Sequence, residues 1–378
     1  MFRWFDKNEV NTGRQIEFDY MKGIFMVMIF IIHAFQATLS KEGTVASVVY
    51  LINSTAGAAM FILIMGFGTA YTRSGAPKKY CGRGVKLIIY QYLNNLATVA
   101  VLALPYPFIK ASLSPESDSM MHTLVEIYFQ YTNIFFISGV IYLIIALLKK
   151  LKTPLFVYVL TGAAVSIAAP FVFGSPVNVP VLGYIVQLLI GDAPHVSFTP
   201  LYFLPYALFG MAIGRLYRHV NDKKKFYLVI TPVCAVIAIT WWITFLCRVG
   251  PDFSTIRRES GLGYVHPDLW HVVSSVAHIL LMAAAVYFIA GKGRTPKNEP
   301  GNPVSRQILY YGKHISKYYA IHSVIYSFIL AVHGYQGFEE WQCWLLVPIC
   351  MIATETVVRV YNKVYDLIKS RKKGKANG

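Results

Sequence analysis

The chain has 378 residues, of which 56% are apolar and only 14% charged, and its formal net charge is +17. A soluble protein of this length must cover its surface with polar groups, so this balance excludes an ordinary water-soluble domain. The cations sit in short clusters between apolar stretches, which is where membrane proteins keep their cytosolic flanks, and this argues against a nucleic-acid partner.

The apolar stretches are about twenty residues long, enough to cross a hydrocarbon core as helix. Backbone groups find no water there, so helices are required, and the short alternating segments of a transmembrane barrel are missing. Residues 1–21 mix both charge signs before a run long enough to span, so the start is read as a cytosolic segment, 1–22, and not as a cleaved signal. Ten blocks follow, near 23–40, 46–70, 85–105, 125–148, 154–173, 199–217, 226–247, 270–291, 308–333 and 341–362, with the sixth the shortest, and a basic tail occupies 363–378. The expected fold is therefore an all-α integral membrane protein, a polytopic bundle of about ten transmembrane helices in one domain. The connections at 105–123 and 247–269 are long enough to cap a cavity.

Lys and Arg fix the orientation. With the N-terminus in the cytosol, alternate connections and the two ends collect 29 cations, and the opposite connections hold only Lys41, Lys110, Arg248, Arg257 and Arg258. That bias predicts a multi-pass protein of the cell membrane with both termini cytoplasmic. Cys81, Cys234, Cys247, Cys343 and Cys350 form no CxxC pair and read as small core residues, so neither a disulfide framework nor a metal site is expected.

Ionisable side chains inside a bilayer are costly, so each is a candidate for function. On the first block Asp19 and Lys22 lie at the cytosolic end and His33 lies deep; at about 100° per residue Lys22 and His33 share a face, with Asp19 close to it. The third block carries Arg83, Lys86, Tyr90 and Asn94 as a polar stripe expected to point into the bundle. The eighth carries His271, Ser274, Ser275 and His278, the ninth His314, Lys317, Tyr318 and His322, and the tenth Glu355 one turn before Arg359, a spacing that suits an ion pair. A membrane histidine is often no more than hydrogen-bonded packing, which is the simpler reading of His278 and His322.

Several of these segments are similar to one family. Asp19, then Lys22-Gly23, then an apolar run ending in His33 resembles the opening of the membrane acyltransferase 3 family, with Lys22 where that family has Arg. The change keeps the charge and loses the bidentate fork. Phe61 to Gly68, with Met65 in place of Ser, resembles its second helix; Arg83 and Lys86 resemble its Arg-x-x-Arg; Gly312, Ser316, Tyr319 and His322 resemble a late-helix motif.

The resemblance implies transfer of an acyl group, most often acetyl, from coenzyme A to an envelope carbohydrate or a similar lipid-linked acceptor. In that scheme Lys22, Arg83, Lys86 and Tyr90 receive the donor, with the cations on its phosphates. The thin pantetheine arm follows the Lys22–His33 face, and His33, with Asp19 on the same helix, serves catalysis as general base. His271, His278 and His322 line the acceptor side. Acyl-CoA is a substrate in this scheme, and no tightly bound cofactor is expected. The alternative is a transporter or flippase, whose substrates also bind where polar faces meet at mid-membrane; no repeated halves or paired broken helices point that way.

Overall fold

A computed structural model describes residues 4–38, 44–72, 75–104, 131–172, 182–190, 198–252, 265–291, 302–333 and 337–376, with a few positions between them. The elements are α1 (Ile16–Thr38), α2 (Thr44–Tyr71), α3 (Pro77–Ala103), α4 (Ile134–Lys150), α5 (Leu155–Val172), α6 (Leu182–Ile190), α7 (Pro200–Tyr217), α8 (Lys223–Val249) and α9 (Leu269–Val286). A π-helical turn (Tyr287–Gly291), α10 (Pro303–Lys313), α11 (Ile315–His333) and α12 (Glu340–Ala376) complete them. No strand is present among the described residues, and an isolated antiparallel bridge joins Phe5 and Val220. Several starts are written in the sequence as caps: Asn133, Asp222, Asp268 and Asn302 each accept a hydrogen bond from a backbone N–H in the first turn of α4, α8, α9 and α10.

Among the described residues, eight helices are long and apolar enough to cross a membrane: α1, α2, α3, α5, α8, α9 with its π turn, α11 and α12. The chain is a multi-pass, all-helical membrane protein. The fourth and sixth blocks correspond to α4, of 17 residues, and to α7. α7 falls short in apolarity for a physical reason. Thirteen of its 18 residues are buried, and glycines, tyrosines and prolines serve its contacts with α2, α5 and α4 in place of contacts with lipid. Gly66 on α2 and Gly210 on α7 make this approach possible, since a Cβ at either would stand 2.1 Å from a carbonyl oxygen of the other helix, Ala207 or Leu63.

Several elements differ from the sequence reading. α1 begins at Ile16, inside the segment read as a tail, and α12 runs on to Ala376 through the basic stretch. The ninth block is two helices, because the backbone leaves the helical region at His314, where φ is −110° and ψ 19°. The eighth ends in the π turn, and the short α6 lies outside all ten blocks. Of the cysteines, Cys234, Cys343 and Cys350 are buried, and Cys81 and Cys247 are exposed rather than in the core. The connection at 105–123 lies almost wholly outside the described residues, and that at 247–269 in part.

Backbone contacts group the chain into two compact units. The first comprises Met1–Met21, Thr44–Asn95 and Ile127–Glu299; the second comprises Lys22–Gly43, Leu96–Glu126 and Pro300–Gly378. In the first, residues 4–11 lie as a strap along the α7–α8 turn: Asp6 N–H donates to His219 O (2.8 Å), Val10 and Asn11 N–H to Arg218 O (3.0 and 2.9 Å), and Asn221 N–H to Trp4 O (3.1 Å). In the second, α11 packs against α12 and α10.

Candidate active site

The second unit contains the deep part of α1. Gly23 lets α1 run against α10, because a Cβ there would lie 1.9 Å from the Ile308 carbonyl oxygen. Lys22 is half-buried at the start of this stretch. Eleven residues on, roughly 16 Å along the axis, His33 meets α11: its ring centroid is 5.1 Å from that of His322, with the planes at 64°. Phe30, Tyr319 and Tyr326 put their rings 5.5, 5.1 and 6.0 Å from His322.

His322 is 1% exposed. Its Nδ1 lies 3.1 Å from the carbonyl oxygen of Tyr318, one turn earlier. A carbonyl only accepts, so Nδ1 carries the proton and Nε2 keeps a lone pair. That Nε2 is buried with no hydrogen-bond partner. Tyr318 is itself fixed, for its hydroxyl donates to Glu355, which also accepts from Gln307 Nε2 (2.7 Å) and pairs with Arg359. A polar network on α10 and α12 thus holds the turn that orients His322. Lys317 and Asn362 are joined in the same region, and Asn362 donates to the Tyr310 hydroxyl (2.9 Å).

The first unit holds the other predicted residues. Asp19 is buried and paired with Arg14. Arg83, Lys86 and Tyr90 are exposed on α3, with the Lys86 ammonium 5.2 Å over the Tyr90 ring. The expected inward stripe is therefore turned outward at these three positions. The face of α3 that is buried carries Gly84, Gln91, Asn94, Asn95 and Thr98. There, Gln91 Nε2 donates to Asn95 Oδ1 (2.6 Å) and to Tyr131 O (3.0 Å), and Gln91 Oε1 accepts from Asn133 N–H (3.2 Å). Amides satisfied by amides fit a buried helix face better than cations do.

His271 is buried, with Nε2 3.3 Å from Ser54 O. Gly57, at φ 23° and ψ −127°, kinks α2 just after that residue, and a kink of this kind releases carbonyls of the preceding turn to outside donors. His278 is committed at both nitrogens: the Trp242 indole N–H donates to Nε2 (3.1 Å), so Nδ1 carries the proton and donates to Ser274 O (2.8 Å). No lone pair is left for chemistry. The histidine pair is thus His33 with His322, and His278 is held in packing.

One buried charge was not singled out from the sequence. Glu17, 2% exposed, takes three donors on Oε1: Tyr217 (2.7 Å), Lys223 (3.1 Å) and Tyr227 (3.5 Å). It lines a cavity of about 590 Å³ together with Asn11, Arg14, Asp222, Lys223 and Tyr287. Nothing in the spacing around Glu17 signals this, because its partners come from the far side of the chain. No cluster of metal-ligating side chains occurs among the described residues.

A family model described as an acyltransferase domain matches residues 15–358, nearly the whole chain. No curated protein and no solved structure matches it. The match gives the transporter alternative no support.

Proposed function

The chain belongs to the acyltransferase 3 family, and from that premise we propose that it moves an acyl group, acetyl first among the choices, from cytosolic acyl-CoA to a hydroxyl or amine of an envelope carbohydrate or lipid-linked acceptor. The observation that carries this reading is the deep His33 ring on the face that starts at half-buried Lys22. Lys22 on α1 and, separately, Arg83 and Lys86 on α3, with Tyr90 beside Lys86, are the candidate cations for the donor's phosphates. On α3, the exposure of Arg83 and Lys86 suits this role, for a soluble donor must reach them. The pantetheine arm then follows α1 inward for roughly 15–20 Å, a length that the helical rise from Lys22 to His33 matches.

At His33 a neutral imidazole takes the acceptor's proton as its oxygen attacks the thioester carbonyl. The carbon–sulfur bond breaks, and the thiolate leaves and recovers that proton. His271 and His278 are assigned to the exterior half, where the acceptor enters, with His271 buried and His278 fixed by Trp242. Both termini are assigned to the cytosol of a cell-membrane protein. The partners of the reaction are then acyl-CoA, the acceptor and the bilayer.

The test is single-turnover transfer from labelled acetyl-CoA by the purified protein offered envelope glycans. Labelled product supports the reading, and donor consumption no faster than without protein overturns it. Mass spectrometry of envelope glycans with and without the gene identifies the acceptor.

A further inference from the structure

The mechanism above uses His33 and leaves His322 without a task, yet His322 has the more unusual surroundings. Its Nδ1 proton is spent on Tyr318 O, so the neutral ring can only accept, and only through Nε2. Nε2 is buried and accepts nothing. The neighbouring hydroxyl of Tyr326 is not available to it, being donated to Phe30 O at 2.7 Å, and Phe30 has no polar side-chain atom to offer. His33 is the imidazole whose ring lies against this one, at 5.1 Å between centroids. An unsatisfied lone pair buried at membrane depth is unfavourable, and such defects persist mainly where chemistry uses them.

We propose that His33 and His322 form one acid–base unit, in which His322 Nε2 receives an N–H from His33 and so supports the imidazolium that His33 becomes during acyl transfer. The proposal rests on the acyl-transfer reading above and adds a positioning residue to it. The atoms balance as follows. The acceptor O–H bond breaks and its proton binds the free nitrogen of His33, while the acceptor oxygen forms its bond to the acyl carbon. His33 then bears two N–H groups, one aimed at the acceptor and one at His322 Nε2. The carbon–sulfur bond breaks, its electrons leave with the thiolate, and His33 returns the proton to sulfur. His322 lends a lone pair throughout and neither gains nor loses a proton. Tyr318 fixes its tautomer, and Glu355 fixes Tyr318.

Two variants separate this from a packing role. His322→Phe keeps a ring and removes the lone pair; His322→Gln replaces it with an amide oxygen that also accepts an N–H. Single-turnover transfer from labelled acetyl-CoA should fall about 10–100-fold in His322→Phe, by analogy with the loss of the hydrogen-bond partner that orients a metal-ligating histidine, with donor affinity unchanged. In His322→Gln it should recover to within about 10-fold of the parent. Equal activity in the two variants, high or low, overturns the proposal. The second readout needs no turnover: ¹⁵N-histidine NMR of the full chain in lipid should show His322 protonated on Nδ1. A nitrogen–nitrogen coupling should join His33 and His322. Absence of that coupling overturns the pair even if transfer is robust. A coupling seen in a protein that transfers no acyl group leaves the pair standing and removes the acyl-transfer reading instead.

Discussion

The Tyr326 hydroxyl on α11 donates a 2.7 Å hydrogen bond to the carbonyl oxygen of Phe30 on α1. Phe30 is one turn before His33, so this bond sets the height of His33 against the helix that carries His322. Tyr326→Phe should lower stability by about 1 kcal/mol, the usual net value of one such bond, and should also slow transfer by loosening the pair. Thermal unfolding in detergent, read beside single-turnover rates, checks both.

His33→Ala should lose transfer by about 10²–10⁴-fold, the contribution of a positioned base. Donor binding should persist, because Lys22, Arg83 and Lys86 remain. Binding of labelled acyl-CoA measured alongside turnover distinguishes this from misfolding. A variant with near-parental rates would remove His33 from the mechanism.

Arg83 is exposed on α3, so Arg83→Glu should cost little stability, within about 0.5 kcal/mol for a surface change. If it holds a donor phosphate, the reversal should weaken acyl-CoA binding at least tenfold, from a charge-assisted contact of about 1.5–3 kcal/mol. The loss should shrink as salt rises, since exposed charges are screened. Isothermal titration at two ionic strengths measures it, and unchanged affinity would place the phosphates elsewhere.

Gly66→Ala and Gly210→Ala should each disrupt the packing of α2 on α7, because the new Cβ falls 2.1 Å from backbone oxygen, which cannot swing aside as a side chain would. Monodisperse yield should collapse in both variants, and a Gly68→Ala control, where no atom lies within 4 Å, should behave as the parent.

Orientation is tested by single cysteines placed in a background lacking Cys81 and Cys247. Gly75→Cys and Lys224→Cys should resist a membrane-impermeant thiol reagent in intact cells, and Asp252→Cys should react. Labelling at 224 without permeabilisation would invert the assigned topology.

Much of this architecture is legible in one dimension, because hydrocarbon imposes a length and an apolarity on whatever touches lipid. Each of the ten blocks corresponds to helix, including α7, whose weak signal follows from its being wrapped by protein. Helix ends were less legible: the break at His314 depends on backbone torsion, and the helical continuation of α12 is carried by polar residues that a hydropathy reading discards. On α3 the expected inward stripe holds at Asn94 and fails at Arg83, Lys86 and Tyr90, which face outward. A stripe of cations attracts attention, yet it is the quieter Gln91, Asn94, Asn95 and Thr98 that turn inward. His33 was legible from depth and a motif. Its partner was not, because no spacing rule relates residues on α1 and α11.

The Glu17 cluster bears on how the protein is made. Its first hydroxyl partner, Tyr217, follows it by 200 residues, and Lys223 and Tyr227 come later still. At about 5–20 residues per second a ribosome takes about 10–40 s to cover that distance. Throughout that interval the leading end of α1 carries a carboxylate whose eventual donors have not been synthesised, so it must stay at the wet edge of the bilayer. The strap at residues 4–11 waits equally long for residues 218–221. This end of α1 is therefore secured only once the α7–α8 turn and the start of α8 have been made, and a chain stalled before α8 would be left with that end open to quality-control proteases.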